Sequence, residues 1–226
     1  MKTKQDLAQK NNIIRAAVMG ANDGILSVSG IVIGVAGATT SSFAIFIAGF
    51  AGALAGTVSM AMGEYVSVHS ENDAQKKAII QQKSALQDRY QEEFNFVKER
   101  YMQQGISKEL ALTATTELMN QDPLGTTIKE RYGFSQHHEI SAVSAAVASM
   151  IAFPLGSLLP MLAITLLPEH IRIMATGIAV LIALGITGFM AARLSGADEQ
   201  KATIRNIMAG VFTMIITYLI GSLIGA

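Results

Sequence analysis

The sequence predicts an all-α membrane protein, with five transmembrane helices and a helical cytosolic insertion between spans 2 and 3. Three observations lead there. Half of the 226 residues are hydrophobic, 15% are charged and mean hydropathy is +0.39, whereas a soluble domain carries about 25% charge. The charges are also segregated. Residues 64–139 hold 21 of the 34, residues 16–63 hold Asp23 alone, and residues 140–192 hold Glu169 and Arg172. Finally, the apolar stretches recur at about the 20 residues that a helix needs to cross the hydrocarbon.

The elements follow in order. Residues 1–12 read as a polar cytosolic arm, with no small-residue cleavage site that would mark a removable signal peptide. Residues 13–69 carry span 1 (14–38) and span 2 (43–68), joined by the uncharged turn Thr39-Thr40-Ser41-Ser42. Residues 70–138 form the insertion. Its Gln, Glu, Lys and Ala content predicts a long helix continuing directly from span 2, with Ile79, Ile80, Leu86, Phe94 and Val97 as its apolar stripe and Gly105 as its stop. Ser107 is placed to cap a second helix running to Met119, Asp122-Pro123 breaks the chain, and a short helix follows over 126–132.

Residues 139–226 carry the last three spans. Span 3 begins after His137-His138-Glu139, ends near Leu166 and contains Pro154 and Pro160, which neighbouring helices must support. Span 4 covers 171–194 and span 5 covers 204–224, separated by the charged loop SGADEQKAT. Lys2, Lys4 and Lys10 lie in the N-terminal arm and Arg15 at the start of span 1, and Arg193, Lys201 and Arg205 flank the turn between spans 4 and 5. Positive residues mark the cytosolic side, so the N-terminus and the insertion are expected there. An odd number of spans disfavours a two-fold internal repeat and suits a pathway built by dimerisation.

Several chemistries are excluded. Cysteine is absent, which removes disulfides and thiolate metal sites. No P-loop, dinucleotide fingerprint or HExxH helix is present, so ATP-driven transport is disfavoured. No nucleophile–base pair suggests an enzyme. The formal net charge is zero, and no nucleic-acid partner is expected.

What remains is Asp23. A carboxylate inside an apolar span costs several kcal/mol unless it is protonated, paired or metal-bound. It lies about 15 Å deep at about 1.5 Å per residue. Met60 lies at a comparable depth in span 2, so a carboxylate oxygen and a thioether would face one site. Thioethers favour softer ions such as Fe²⁺ or Mn²⁺ over Mg²⁺ or Ca²⁺; the plainer reading of Met60 is packing. Glu64, one turn further on, is either a relay at the cytosolic mouth or an interfacial acid. Weaker metal or relay candidates are His69, Glu71, Glu92 and Glu93, and His137 and His138 near the membrane surface. Their plainer readings are ordinary hydrogen bonding for the histidines and a solvated face for the acids, as for Glu99, Glu117 and Glu130. The pairs Gly20/Gly24, Gly30/Gly34 and Gly52/Gly56 allow close helix contact, within the chain or with a second copy.

At these residues the chain resembles the vacuolar iron transporter (VIT) family. The matching stretches are GANDGILSVSGIVIGVAGA, AGTVSMAMGEYVSVHSENDAQ, FPLGSLLPML and RNIMAGVFTMIITYLIGSLIGA. The MGEYVSVHS form, with Glu64, is similar to bacterial and nodulin-like branches. The resemblance implies a homodimer of five-span subunits that exports Fe²⁺ and/or Mn²⁺ from the cytosol in exchange for protons. In it Asp23 is the ion-binding and proton-coupling acid, Met60 the midmembrane methionine, and no permanently bound cofactor is required. The location implied is the plasma membrane in a bacterium or the vacuolar membrane in a eukaryote. The insertion departs from the family pattern: it reads QQKSAL where acids are expected, keeps Glu92 and Glu93 near the second acidic cluster, and reads GTTIKERYGF in place of a Met-Met pair. That departure motivates the alternative, a membrane scaffold or regulator whose insertion binds a partner protein.

Overall fold

A computed structural model describes residues 2–135 and 140–225, with side chains from residue 9 onward. His137, His138 and Glu139 therefore lie outside the described residues. The described chain forms α1 (Lys2–Ala38), α2 (Ser42–Asp88), α3 (Tyr90–Gln103), α4 (Lys108–Gln121), α5 (Pro123–Tyr132), α6 (Ala142–Leu166), α7 (Glu169–Ser195) and α8 (Glu199–Gly225), and no strand is found among the described residues. Five of the helices, α1, α2, α6, α7 and α8, are long and apolar enough to cross a membrane. This is a multi-pass membrane protein. The chain divides into two compact units, residues 1–67 with 141–226, and residues 68–140.

In the first unit α1 is the central helix. It packs along α6 and α8 and also touches α7, while α7 pairs with α8. The patterns of burial explain the arrangement. On α1 the residues Ile25, Val28, Val32 and Ala36 recur every three or four positions and are buried. On α7 the buried residues are Arg172, Thr176, Val180, Leu184, Gly188 and Ala192, spaced by four, so one narrow ridge faces protein. The glycine pairs find their partners within the chain. A Cβ on Gly24 would strike the carbonyl oxygen of Phe153, and one on Gly156 would strike that of Ala21, so α1 and α6 touch backbone to backbone. Gly30 and Gly34 face Thr213 and Thr217 of α8, and Gly52 and Gly56 receive Ile31 and Phe153. By contrast α2 leaves Phe43, Phe46, Phe50, Leu54 and Val58 exposed.

The structure corrects three expectations about elements. The predicted continuous helix from span 2 to Gly105 breaks at Arg89, whose φ of −142° and ψ of 43° are not helical. The break lets Gln82 of α2 donate to Glu93 of α3 at 2.7 Å. In an unbroken helix those residues would be about 16 Å apart at about 1.5 Å per residue. Ile80, assigned to the apolar stripe, is exposed, while the polar Gln82 and Glu93 are buried. Finally, much of the predicted loop before span 5 is helical. The backbone N–H of Lys201 donates to the Asp198 carboxylate at 3.0 Å, an N-cap that starts α8 at Glu199.

The ends of the second unit's helices follow their local chemistry. Gly105 has φ of +92°, a left-handed conformation that glycine adopts without steric cost, just after α3 ends. Ser107 occupies the N-cap position of α4 but makes no side-chain cap. Asp122 caps α5, accepting from the Gly125 N–H at 2.8 Å, with Pro123 in the first turn. Asn72 joins the unit's two ends: its Nδ2 donates to the Ile140 carbonyl at 2.9 Å, and the Ile140 N–H donates back to its Oδ1 at 3.4 Å.

Candidate metal site in the helix bundle

The candidate site is built on one turn of α1. On one side, Gly20 and Gly24 let α6 approach closely at Ser149 and Phe153. On another, Asn22 is held by α7 and α8: its Oδ1 accepts from Asn206 Nδ2 at 2.6 Å and from Thr187 Oγ1 at 3.1 Å. Asn206 also donates to the Leu184 carbonyl at 2.9 Å. This turn is therefore pinned to three helices, and Asp23 is part of it.

Asp23 is half-buried, and its Oδ1 accepts a 2.6 Å hydrogen bond from Ser27, one turn further along α1. Ser27 is its one hydrogen-bond partner among the described residues, and none of their basic side chains forms an ion pair with it. An acid without a counter-charge inside an apolar helix can bind a cation or carry a proton.

α2 runs antiparallel to α1 after the turn at residues 39–41. Arg15 meets Glu64 near one end and Ile31 meets Gly52 towards the other. That register puts Asp23 level with the Gly56–Met60 turn. Met60 is half-buried and packs against the apolar core. Glu64 is only 7% exposed, and Arg15 grips it with both arms of its guanidinium: Nη2 to Oε2 at 2.9 Å and Nη1 to Oε1 at 3.4 Å. Arg15 Nη2 also donates to Asn12 Oδ1 at 2.9 Å, and its Nη1 lies 3.3 Å from the sulfur of Met19.

The remaining candidates fall in the second unit. His69, Glu71 and Glu92 are exposed; Glu71 accepts from Gln75 at 3.4 Å, and Glu92 lies 3.6 Å from Arg89. Glu93 is different. It is buried, and Arg131 Nη2 donates to its two oxygens at 3.0 and 2.9 Å while Gln82 donates to Oε2. The Arg131 guanidinium in turn lies 4.0 Å over the Phe96 ring. The carboxylate is thus neutralised from within the chain. Tyr101 donates to Glu130 at 3.3 Å; burial first, and then the Glu130 carboxylate, raises the phenol above its ordinary value. Among the described residues no three His, Cys, Asp or Glu side chains form a group that could hold a metal ion.

Sequence reasoning did not find Asn22, Thr187 and Asn206, although amides in apolar spans are a visible signal. It used Arg15 and Arg172 only to orient the spans. Arg172 is buried and donates to Ser42 Oγ at 3.1 Å and to the Thr40 carbonyl at 3.0 Å, tying the start of α7 to the α1–α2 turn.

Comparison with known proteins agrees with this architecture. A model of the VIT family matches residues 14–222. Vacuolar iron transporter homolog 3 of Arabidopsis thaliana is 31% identical, over 98% of this chain and 88% of its own length. Vacuolar iron transporter homolog 2.1 of the same plant is 28% identical, over 100% of this chain and 87% of its own. The vacuolar iron transporter of Acanthamoeba castellanii is 29% identical, over 93% and 78%. With the match running from the first span to the last, the chain belongs to the VIT family.

Proposed function

We propose that the protein is a proton-coupled exporter of a divalent transition metal, Fe²⁺ and/or Mn²⁺, from the cytosol. The observation that carries this reading is Asp23, an acid in a pinned turn of an apolar helix with no cationic partner among the described residues. Membership in the VIT family, and the iron transporter names its relatives bear, support the substrate class. Asp23 takes the ion when deprotonated and a proton on the return step, so one carboxylate couples the two fluxes. Met60 adds a soft donor that favours a transition metal. Glu64 stands at the cytosolic mouth. The protein is a carrier, not an enzyme, and the metal is its cargo.

Membership in the VIT family, together with α2 being the span least buried within this chain, supports assembly as a homodimer. We assign Glu93 to the folding of the insertion instead of the ion path, because Arg131 already supplies its counter-charge.

The test is uptake of Fe²⁺ and Mn²⁺ by liposomes containing the purified protein, with and without a pH gradient. Uptake that needs the gradient and disappears in Asp23→Asn is expected. A fully active Asp23→Asn variant would overturn the assignment of the coupling acid. No uptake of either metal by intact protein would favour a scaffold that works through the insertion.

A further inference from the structure

Arg15 is a cation already held by a buried acid of the bundle. It sits eight residues before Asp23 on α1, about 12 Å nearer the N-terminal end at about 1.5 Å per residue, and it occupies both oxygens of the buried Glu64. Glu64 follows Met60 by one turn of α2. An ion moving from that end towards Asp23 meets this pair first.

The guanidinium also has somewhere to go. Arg15 lines an open cavity of about 600 Å³ between α1 and α7, together with Lys10, Asn11, Met19, Leu194 and Ser195. None of the described residues lining that cavity is acidic, and Lys10 repels a second cation there, so at rest the charge belongs on Glu64. Displaced, Arg15 would find water, Asn11 and Ser195. Its side chain thus has one strong partner and one roomy alternative, separated by rotation about its own bonds.

We propose that Arg15 is a tethered competitor at the mouth: it occupies the Glu64 carboxylate until a divalent cation displaces it into the cavity. This rests on the transport reading above and adds a selectivity device to it. A monovalent ion offers Glu64 no more charge than the guanidinium, which also brings two directed hydrogen bonds. A divalent ion offers twice the charge and can win. Arg15 therefore lowers affinity at the mouth by one common factor for every ion, so a weakly held monovalent ion loses the site while a tightly held divalent ion still fills it.

The test measures Mn²⁺ binding to the purified full-length protein in detergent, reading free Mn²⁺ by electron paramagnetic resonance. Arg15→Gln should tighten one class of Mn²⁺ site by about tenfold, which is about 1.4 kcal/mol. That gain should vanish in the Arg15→Gln, Glu64→Gln double variant, and added K⁺ should erode it, because K⁺ can then reach Glu64. Arg15→Lys, which keeps the charge but loses the fork, should fall between wild type and Arg15→Gln; it serves alone if Arg15→Gln does not fold. Unchanged or weaker binding in the variants, or a gain that survives Glu64→Gln, overturns the proposal and leaves the pair a structural staple. Binding is read here without transport, so failure of liposome uptake would count against the exporter reading and not against this one.

Discussion

Removing the guanidinium of Arg131 tests how the second unit is held together. Arg131→Met deletes two hydrogen bonds to Glu93, of 3.0 and 2.9 Å, and the contact over Phe96. Glu93, whose side chain is 6% exposed, would keep Gln82 as its remaining donor among these partners. Breaking a fully buried ion pair costs about 3–5 kcal/mol. The Arg131 side chain is 34% exposed, so solvent screens part of the interaction and the lower end, about 3 kcal/mol, is expected. That is about a hundredfold in an opening equilibrium. Hydrogen exchange of the full-length protein in detergent reads it directly: amides of α3 and α5 that exchange through opening of this unit should speed up about a hundredfold. Adding Glu93→Gln to Arg131→Met removes the stranded charge and should restore most of the protection. Exchange within about threefold of wild type in Arg131→Met, a change of about 0.7 kcal/mol, would refute the view that this pair organises the unit.

Other perturbations follow from single contacts. Asn206→Leu removes the 2.6 Å bond to Asn22 and the 2.9 Å bond to the Leu184 carbonyl; it should cost about 1 kcal/mol by the scale of interhelical hydrogen bonds in membranes and reduce uptake, seen as a lower melting temperature and a slower liposome flux. Gly24→Val drives a side chain into the backbone carbonyl of Phe153, which cannot swing away, whereas Gly63 has open space around it. Size-exclusion profiles should therefore show Gly24→Val aggregated or absent and Gly63→Ala like wild type. Tyr101 gives a pH dependence: its folded-state value is raised above 10.0, so its contribution is complete below that pH and is lost as pH rises through the folded value. Tyr101→Phe should flatten that alkaline loss of protection in α3, measured by hydrogen exchange corrected for intrinsic rates.

The sequence by itself determined the five apolar helices, the intervening polar segment and the exceptional status of Asp23, because hydropathy and charge segregation are properties of composition along the chain. It also carried the family, through stretches around Asp23 and Met60. What it left open depends on which residues meet across elements. The spacing of Gly20, Gly24, Gly30 and Gly34 announced close contacts but not their partners; the fold matched them to α6 and α8 within the same chain. The Gln- and Glu-rich run after span 2 reads as one helix by propensity. Tertiary structure breaks it at Arg89, because bringing Glu93 to Gln82 and Arg131 satisfies a buried charge that propensity does not count. Arg15 looked like one more basic residue at the end of a span. Its grip on Glu64, 49 positions away, belongs to the register of two antiparallel helices, and only the folded chain sets that register.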